Sequence, residues 1–167
     1  MNRSDDFDLA ALHQALDAQR HARGLMWGEA MREINRGATR AVSSATVSRL
    51  RTSQVAEADG VLQMLAWLGR TPESFAADPR GDDAGARLPD PGPGRILRFD
   101  TRRLHAALDA RRMERRLTWT QVARDLGVGA SSLTGLARGG RTSFPQVMRM
   151  VRWLGEPAAR FVRSSDR

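Results

Sequence analysis

Between residues 99 and 167, apolar side chains recur at helical spacing in four successive stretches. Leu104, Ala107 and Leu108 stand at i, i+3 and i+4 spacing. Arg102, Arg103, Arg111, Arg112, Arg115 and Arg116 fill much of the remaining surface, which predicts an amphipathic helix with one apolar stripe. Thr118-Trp119-Thr120-Gln121 has the form of a capping box and predicts the start of a second helix, with Val122, Ala123 and Leu126 on its buried face. Gly127-Val128-Gly129 ends that helix, because glycine accepts the left-handed conformation of a helix stop. A short third helix over 130–137 buries Leu133 and Leu136, and 138–143 reads as a loop. A fourth helix over 144–154 turns Val147, Met148, Val151 and Trp153 or Leu154 to the core, and Phe161 marks a last turn. No segment alternates convincingly at period two and no hairpin dipeptide joins such runs, so the chain is read as all-α.

The same pattern occurs earlier in the chain. Phe7-Asp8, Leu12-His13 and Ala15-Leu16-Asp17-Ala18 recur as Phe99-Asp100, Leu104-His105 and Ala107-Leu108-Asp109-Ala110, an offset that holds through Leu25/Leu117 and Trp27/Trp119. The offset then shortens by six residues, aligning Val47 with Leu133, Leu50 with Leu136, Trp67-Leu68-Gly69 with Trp153-Leu154-Gly155, and Phe75 with Phe161. Two long motifs kept in order at both ends identify a duplicated unit. The first copy carries six extra residues between Ile34 and Ser44.

Residues 1–76 and 99–167 are therefore read as two domains of about five helices each, with 77–98 as the link. That link contains Asp78-Pro79-Arg80-Gly81 and Pro89-Asp90-Pro91-Gly92-Pro93-Gly94, a density of Pro and Gly that defeats helix and sheet. As a flexible coil it would span roughly 25 Å on average and about 65 Å fully stretched. It is expected to tie the domains together without fixing their orientation.

Composition narrows the chemistry. The 167 residues contain no cysteine and three histidines, His13, His21 and His105, with no metal-ligand spacing among them. No apolar run approaches the length of a membrane span, and the polar start Met1-Asn2-Arg3-Ser4-Asp5-Asp6 lacks the apolar centre of a signal peptide. A cytoplasmic, nucleoid-associated protein is expected. All 27 basic residues are arginine, and the net charge is +8. Residues 1–80 balance 10 Arg with 10 acidic residues, whereas residues 99–167 hold 14 Arg against 6, so the whole excess lies in the second unit. Such asymmetry draws a domain toward a polyanion but selects no sequence.

The string Leu117-Thr118-Trp119-Thr120-Gln121-Val122-Ala123, then Leu126-Gly127-Val128, then a short helix with Leu133 and Leu136, then Arg138-Gly139 and Arg141, closely resembles the phage-repressor/Cro-like (XRE) helix-turn-helix family. The resemblance covers 101–162 well and 9–76 with one interruption. It implies two tandem lambda-repressor-like bundles, in each of which the helix after the turn enters the major groove of duplex DNA. In the second unit it places Gly129, Ala130, Ser131, Ser132 and Thr134 at the reading helix and Arg138 and Arg141 on phosphates. Gln121 and Trp119 fall at the start of the preceding helix, and for Trp119 two readings stand, an indole N–H donor to phosphate or simple packing. In the first unit it places Ser43, Ser44, Ala45, Thr46, Ser48, Arg49 and Arg51 at the reading helix, with Trp27 matching Trp119. Ser43 reads as an N-cap. Arg49 stands out, since arginine pairs bidentately with guanine, worth about 1–3 kcal/mol of discrimination.

The first unit departs from the pattern. Met26 replaces the capping Thr118, Gly28 lies inside helix two, and residues 35–40 enlarge a turn that is normally tight, carrying Arg36 and Arg40 either toward phosphate or into solvent. Val55 stands where the second unit has Arg141. Two functions follow as expectations. One is a sequence-specific DNA-binding transcriptional regulator whose units occupy successive half-sites. The other is a protein-interaction or antitoxin-like module in which only the basic second unit binds DNA and the first engages a partner or another copy. Neither needs a cofactor or metal. An enzyme is not expected, because there is no Walker loop, no nucleophile elbow, no cysteine nucleophile and no supported carboxylate pair; Asp5, Asp6 and Asp8 read as a solvated tail and His13 and His105 as structural residues of helix one.

Overall fold

A computed structural model describes residues 7–38, 41–53, 55–76 and 87–166. The fold is mostly helical. In the first half, α1 (Leu9–Ala22), α2 (Trp27–Ile34), α3 (Ser44–Arg49) and α4 (Ala58–Leu68) lead to a 3₁₀ turn at Pro72–Phe75. In the second half, β1 (Ile96–Phe99) precedes α5 (Thr101–Glu114), α6 (Trp119–Leu126), α7 (Ala130–Ala137) and α8 (Phe144–Leu154). A second 3₁₀ turn at Ala158–Phe161 runs into β2 (Val162–Ser165). Apart from the C-terminal end of α3, every helix of the first half begins and ends at the residue aligned with its counterpart in the second.

Local chemistry sets these boundaries. Asp8 and Asp100 cap α1 and α5 by accepting from the backbone N–H of Ala11 and Arg103. The capping box of α6 is complete: Thr118 Oγ1 accepts from Gln121 N, and Gln121 Oε1 accepts from Thr118 N at 2.8 Å. Met26 supplies no such oxygen, so α2 keeps only the reciprocal half, Glu29 Oε2 accepting from Met26 N.

The turn between α2 and α3 shows how the six extra residues are held. Gly127 ends α6 at φ 63°, a left-handed turn that sends the chain directly into α7. Asn35 occupies the aligned position at φ −88°. Its carboxamide instead donates to Val42 O at 2.9 Å and accepts from Val42 N at 2.7 Å, closing the enlarged turn at its base. Val42 is buried, so this pair fixes the approach to α3.

The all-α reading needs correction. β1 and β2 form an antiparallel ribbon, Ile96 opposite Ser165 through Phe99 opposite Val162. These strands have four residues each, too few to display a period, and they pair the beginning of the second half with its end. Residues 96–98, read from the sequence as the end of the linker, thus belong to a strand, and β1 packs on α4 of the first half.

The halves share one apolar core, which contains Leu12, Leu16, Leu62 and Leu65 together with Leu104, Leu108, Val147 and Met150. Their relative orientation is therefore set by packing and not by the length of the joining segment. Where they meet, Ala58 N donates to Thr142 O at 3.0 Å and Phe144 N donates to Ala56 O at 2.7 Å. Glu57 thereby bridges Ser143, its own counterpart in the repeat. Bonds exchanged between equivalent residues are the mark of a two-fold contact, in which i touches j and j′ touches i′. The chain is folded about an internal pseudo-two-fold axis, with α4 against α8 and the two 3₁₀ turns against each other.

Candidate nucleic-acid interface

Helices α3 and α7 each rest on two apolar side chains, Val47 and Leu50 in the first half and Leu133 and Leu136 in the second. Everything else on them is at least partly open to solvent. Along α3, Ser44, Ala45, Ser48 and Arg49 are exposed, as is Arg51 just beyond it. Ser43 is the N-cap, accepting from Thr46 N at 3.1 Å, and its hydroxyl lies 2.9 Å from that of the half-buried Thr46. Along α7, Ala130, Ser131 and Thr134 are exposed, Ser132 is half-buried, and Gly129 takes the N-cap position without a side chain to offer. The Thr134 hydroxyl donates back to Ala130 O at 3.2 Å. At the position of Arg49, α7 has Gly135, so the long polar side chain of this surface belongs to the first half alone.

Cations gather on the other side of the comparison. Arg138 and Arg141 are exposed and form no ion pair among the described residues, and their counterparts are Thr52 and Val55. Arg102 donates toward Arg138 O, placing a further guanidinium beside the end of α7. Arg36 is exposed just after α2, while Arg40 lies outside the described residues. Gln121 is exposed at the start of α6 with its carbonyl committed to the capping box, and Glu29 occupies the matching place in α2. The first half thus sets Met26, Glu29 and Val55 where the second sets Thr118, Gln121 and Arg141. Met26 and Val55 are 71% and 68% exposed, which is unusual for apolar side chains and unexplained by the core.

Trp27 and Trp119 are half-buried, each against a histidine ring, stacked at Trp119 and tilted by 33° at Trp27. His105 lies parallel to Trp119 with centroids 4.8 Å apart, and Arg112 stands over the indole at 5.2 Å. In the first half His13 meets Trp27 at 5.6 Å and Arg20 stands over it at 4.9 Å. Each arginine is held by the aspartate three residues before it, Asp17 or Asp109, and donates to the carbonyl of Leu25 or Leu117 just ahead of the next helix. This clamp sets the angle at which α2 leaves α1 and α6 leaves α5, and it accounts for both recurring histidines. The Asp17 carboxyl is held below its ordinary range, first by the hydrogen bond from Arg20. His13 is likewise shifted down, by burial and then by the charge of Arg51, with Asp17 opposing.

The other tryptophan pair also repeats, with Arg23 over Trp67 and Arg115 over Trp153. In the first half Glu33 takes a bidentate ion pair from Arg23 and accepts from the Trp67 indole at 2.9 Å. These bonds, the indole's first, hold its carboxyl below the usual range. Arg20 and Arg23 of the first unit are thereby committed to internal ion pairs.

The residues the sequence reading missed are those at the seam, Ala56 to Ala58 and Thr142 to Phe144. The only signal for them was an asymmetry between aligned positions, Ala58 against Phe144, which has no meaning until the two are known to be neighbours. No group of three or more His, Asp or Glu able to hold a metal occurs among the described residues. No family model, no curated protein and no solved structure matches the chain.

Proposed function

We propose that the chain is a sequence-specific double-stranded DNA-binding regulator, built as two tandem helix-turn-helix units of the phage-repressor/Cro-like kind within one chain. The observation that carries this reading is the exchange of backbone hydrogen bonds between Ala56–Ala58 and Thr142–Phe144, the segments that lead from α3 and α7 to the axis. It makes α3 and α7 a two-fold pair in a covalent dimer. A two-fold pair of reading helices meets duplex DNA as an inverted repeat, with half-sites about one helical turn, roughly 34 Å, apart. Because Arg49 faces one half-site and Gly135 the other, the half-sites are unlike. Arg138, Arg141 and Arg102 supply phosphate attraction, which fixes position without choosing sequence. Among the described residues no helix is long and apolar enough to cross a membrane.

Selection of bound sites from random duplex DNA tests the proposal. Two unlike, inverted half-sites at one fixed spacing are the expected product. Recovery of direct repeats, or salt-sensitive binding with no enrichment, overturns it. A second reading is favoured by the exposed Met26 and Val55 and by Glu29 at the helix start: the first unit engages a protein partner or another copy, and only the second touches DNA. A single enriched half-site, unaffected by Arg49→Ala, is the outcome that reading requires.

A further inference from the structure

An open groove of about 510 Å³ runs along the outer face of α5, between that helix and the segment from Leu154 to Phe161. On the helix side it is lined by Arg103, Ala106, Ala107, Ala110, Arg111 and Glu114. Arg103 and Glu114 stand about three helical turns apart, which places both on one line down this face. Between them Ala106 and Ala110 are exposed, and side chains this small let a second helix approach closely. Across the groove Glu156 and Arg160 are bound to each other at 2.7 Å, so that wall contributes no net charge.

The charges at the two ends of this face oppose the preference of their own helix. Helix N-termini favour anions and C-termini favour cations, yet Arg103 lies in the first turn of α5 and Glu114 is its last residue. Arg103 forms no ion pair among the described residues. Glu114 is 72% exposed and takes Arg111 at 3.2 Å through one oxygen, and a carboxylate has lone pairs for a second guanidinium. The fold does not require these charges, because its first copy lacks them. Where α5 carries Arg103, Arg111 and Glu114, α1 carries Ala11, Gln19 and Ala22.

This face maps onto itself when the helix is reversed. Laid antiparallel on a second copy of α5, Arg103 falls beside Glu114 of that copy, Ala106 beside its Arg111, and Ala107 beside its Ala110. Each end charge then also lies at the terminus of the neighbouring helix that favours it. Contacts in which i meets j and j meets i define an isologous interface. A uniformly acidic partner would answer Arg103 and oppose Glu114, and a basic one would do the reverse. A second copy answers both.

We infer that the outer face of α5 is a self-association surface, on which two copies of the chain pair α5 antiparallel and join Arg103 of each copy to Glu114 of the other. The inference does not depend on DNA binding. Sedimentation equilibrium of the full chain without DNA, from micromolar to near-millimolar concentration, tests it. A monomer–dimer equilibrium is expected, and it should weaken as salt rises. Arg103→Glu and Glu114→Arg each set like charges together at both contacts and should weaken the dimer more than about tenfold. Both substitutions lie on the helix surface, so each variant should keep the circular dichroism spectrum of the parent. An equimolar mixture of the two variants should recover most of the parental affinity as a heterodimer, since Glu at 103 then meets Arg at 114 and the native Arg103 meets the native Glu114. The inference is overturned if the parent stays monomeric throughout this range, if either single variant dimerises as the parent does, or if mixing the variants restores nothing.

Discussion

The ring of Phe7 meets the ring of Phe144 edge-on, with centroids 4.4 Å apart, joining the start of the first half to α8 of the second. Phe99, the counterpart of Phe7, lies 5.9 Å from the same ring. The counterpart of Phe144 is Ala58, also buried. Close to a two-fold axis equivalent residues share one space, and one large and one small side chain fill it where two large ones would collide.

Phe144→Ala is therefore expected to destabilise the chain by about 3–5 kcal/mol, by the loss of a buried aromatic and the cavity left behind. Because one core runs through both halves, denaturant unfolding should remain a single transition seen alike by probes in each half. Two separated transitions would show that the halves are independent bodies. Ala58→Phe should also destabilise, through overpacking, by about 1–3 kcal/mol.

Asn35→Ala removes both hydrogen bonds that close the enlarged turn and leaves the buried Val42 backbone without them. A cost of about 1–3 kcal/mol is expected from unsatisfied polar groups. The amide of Val42 should lose hydrogen-exchange protection, while those of α7 keep theirs.

Arg112→Ala severs the bond to the Leu117 carbonyl, frees Asp109, and uncovers one face of Trp119. A loss of about 1.5–3 kcal/mol is expected for a charge-assisted bond, together with a change in tryptophan fluorescence. Arg112→Lys should not rescue it, since an ammonium cannot serve aspartate and carbonyl through a planar fork.

Burial pushes the Asp59 carboxyl above its ordinary range, against the bond from Phe99 N, which lowers it. The unfolded chain therefore releases this proton first as pH rises. The contribution of Asp59 to stability is greatest below the unfolded pKa and is lost as pH climbs toward the raised folded value. Asp59→Asn keeps an oxygen for Phe99 N and removes the titration. Its stability relative to the parent should increase with pH across that window, as measured by urea unfolding at a series of pH values; a constant difference would contradict the assignment.

On duplex DNA, Arg49→Ala should cost about 1–3 kcal/mol at one half-site and relax its preference there. Arg138→Ala or Arg141→Ala should weaken binding to all sequences alike, and each should lower the slope of log K against log salt by about one. A loss of selectivity with Arg138→Ala, or an unchanged preference with Arg49→Ala, would reverse the assigned roles.

The helices could be read from the chain because each is specified locally. The ranges 130–137 and 144–154 coincide with α7 and α8, for the apolar spacing, the Thr118–Gln121 box and the glycine at 127 all act within a few residues. The duplication, the arginine excess of the second half and the capping role of Ser43 were legible for the same reason. The ribbon of residues 96–99 with 162–165, the bridge from Glu57 to Ser143 and the histidine ring contacts of Trp27 and Trp119 were not. Each brings together residues from different elements, and no local period records which of many possible partners a short strand, an exposed loop or an indole will meet. Sequence alone determined two similar helical units; only tertiary packing decided that they form one body folded about a pseudo-two-fold axis, because that choice lies in long-range contacts such as Phe7 with Phe144.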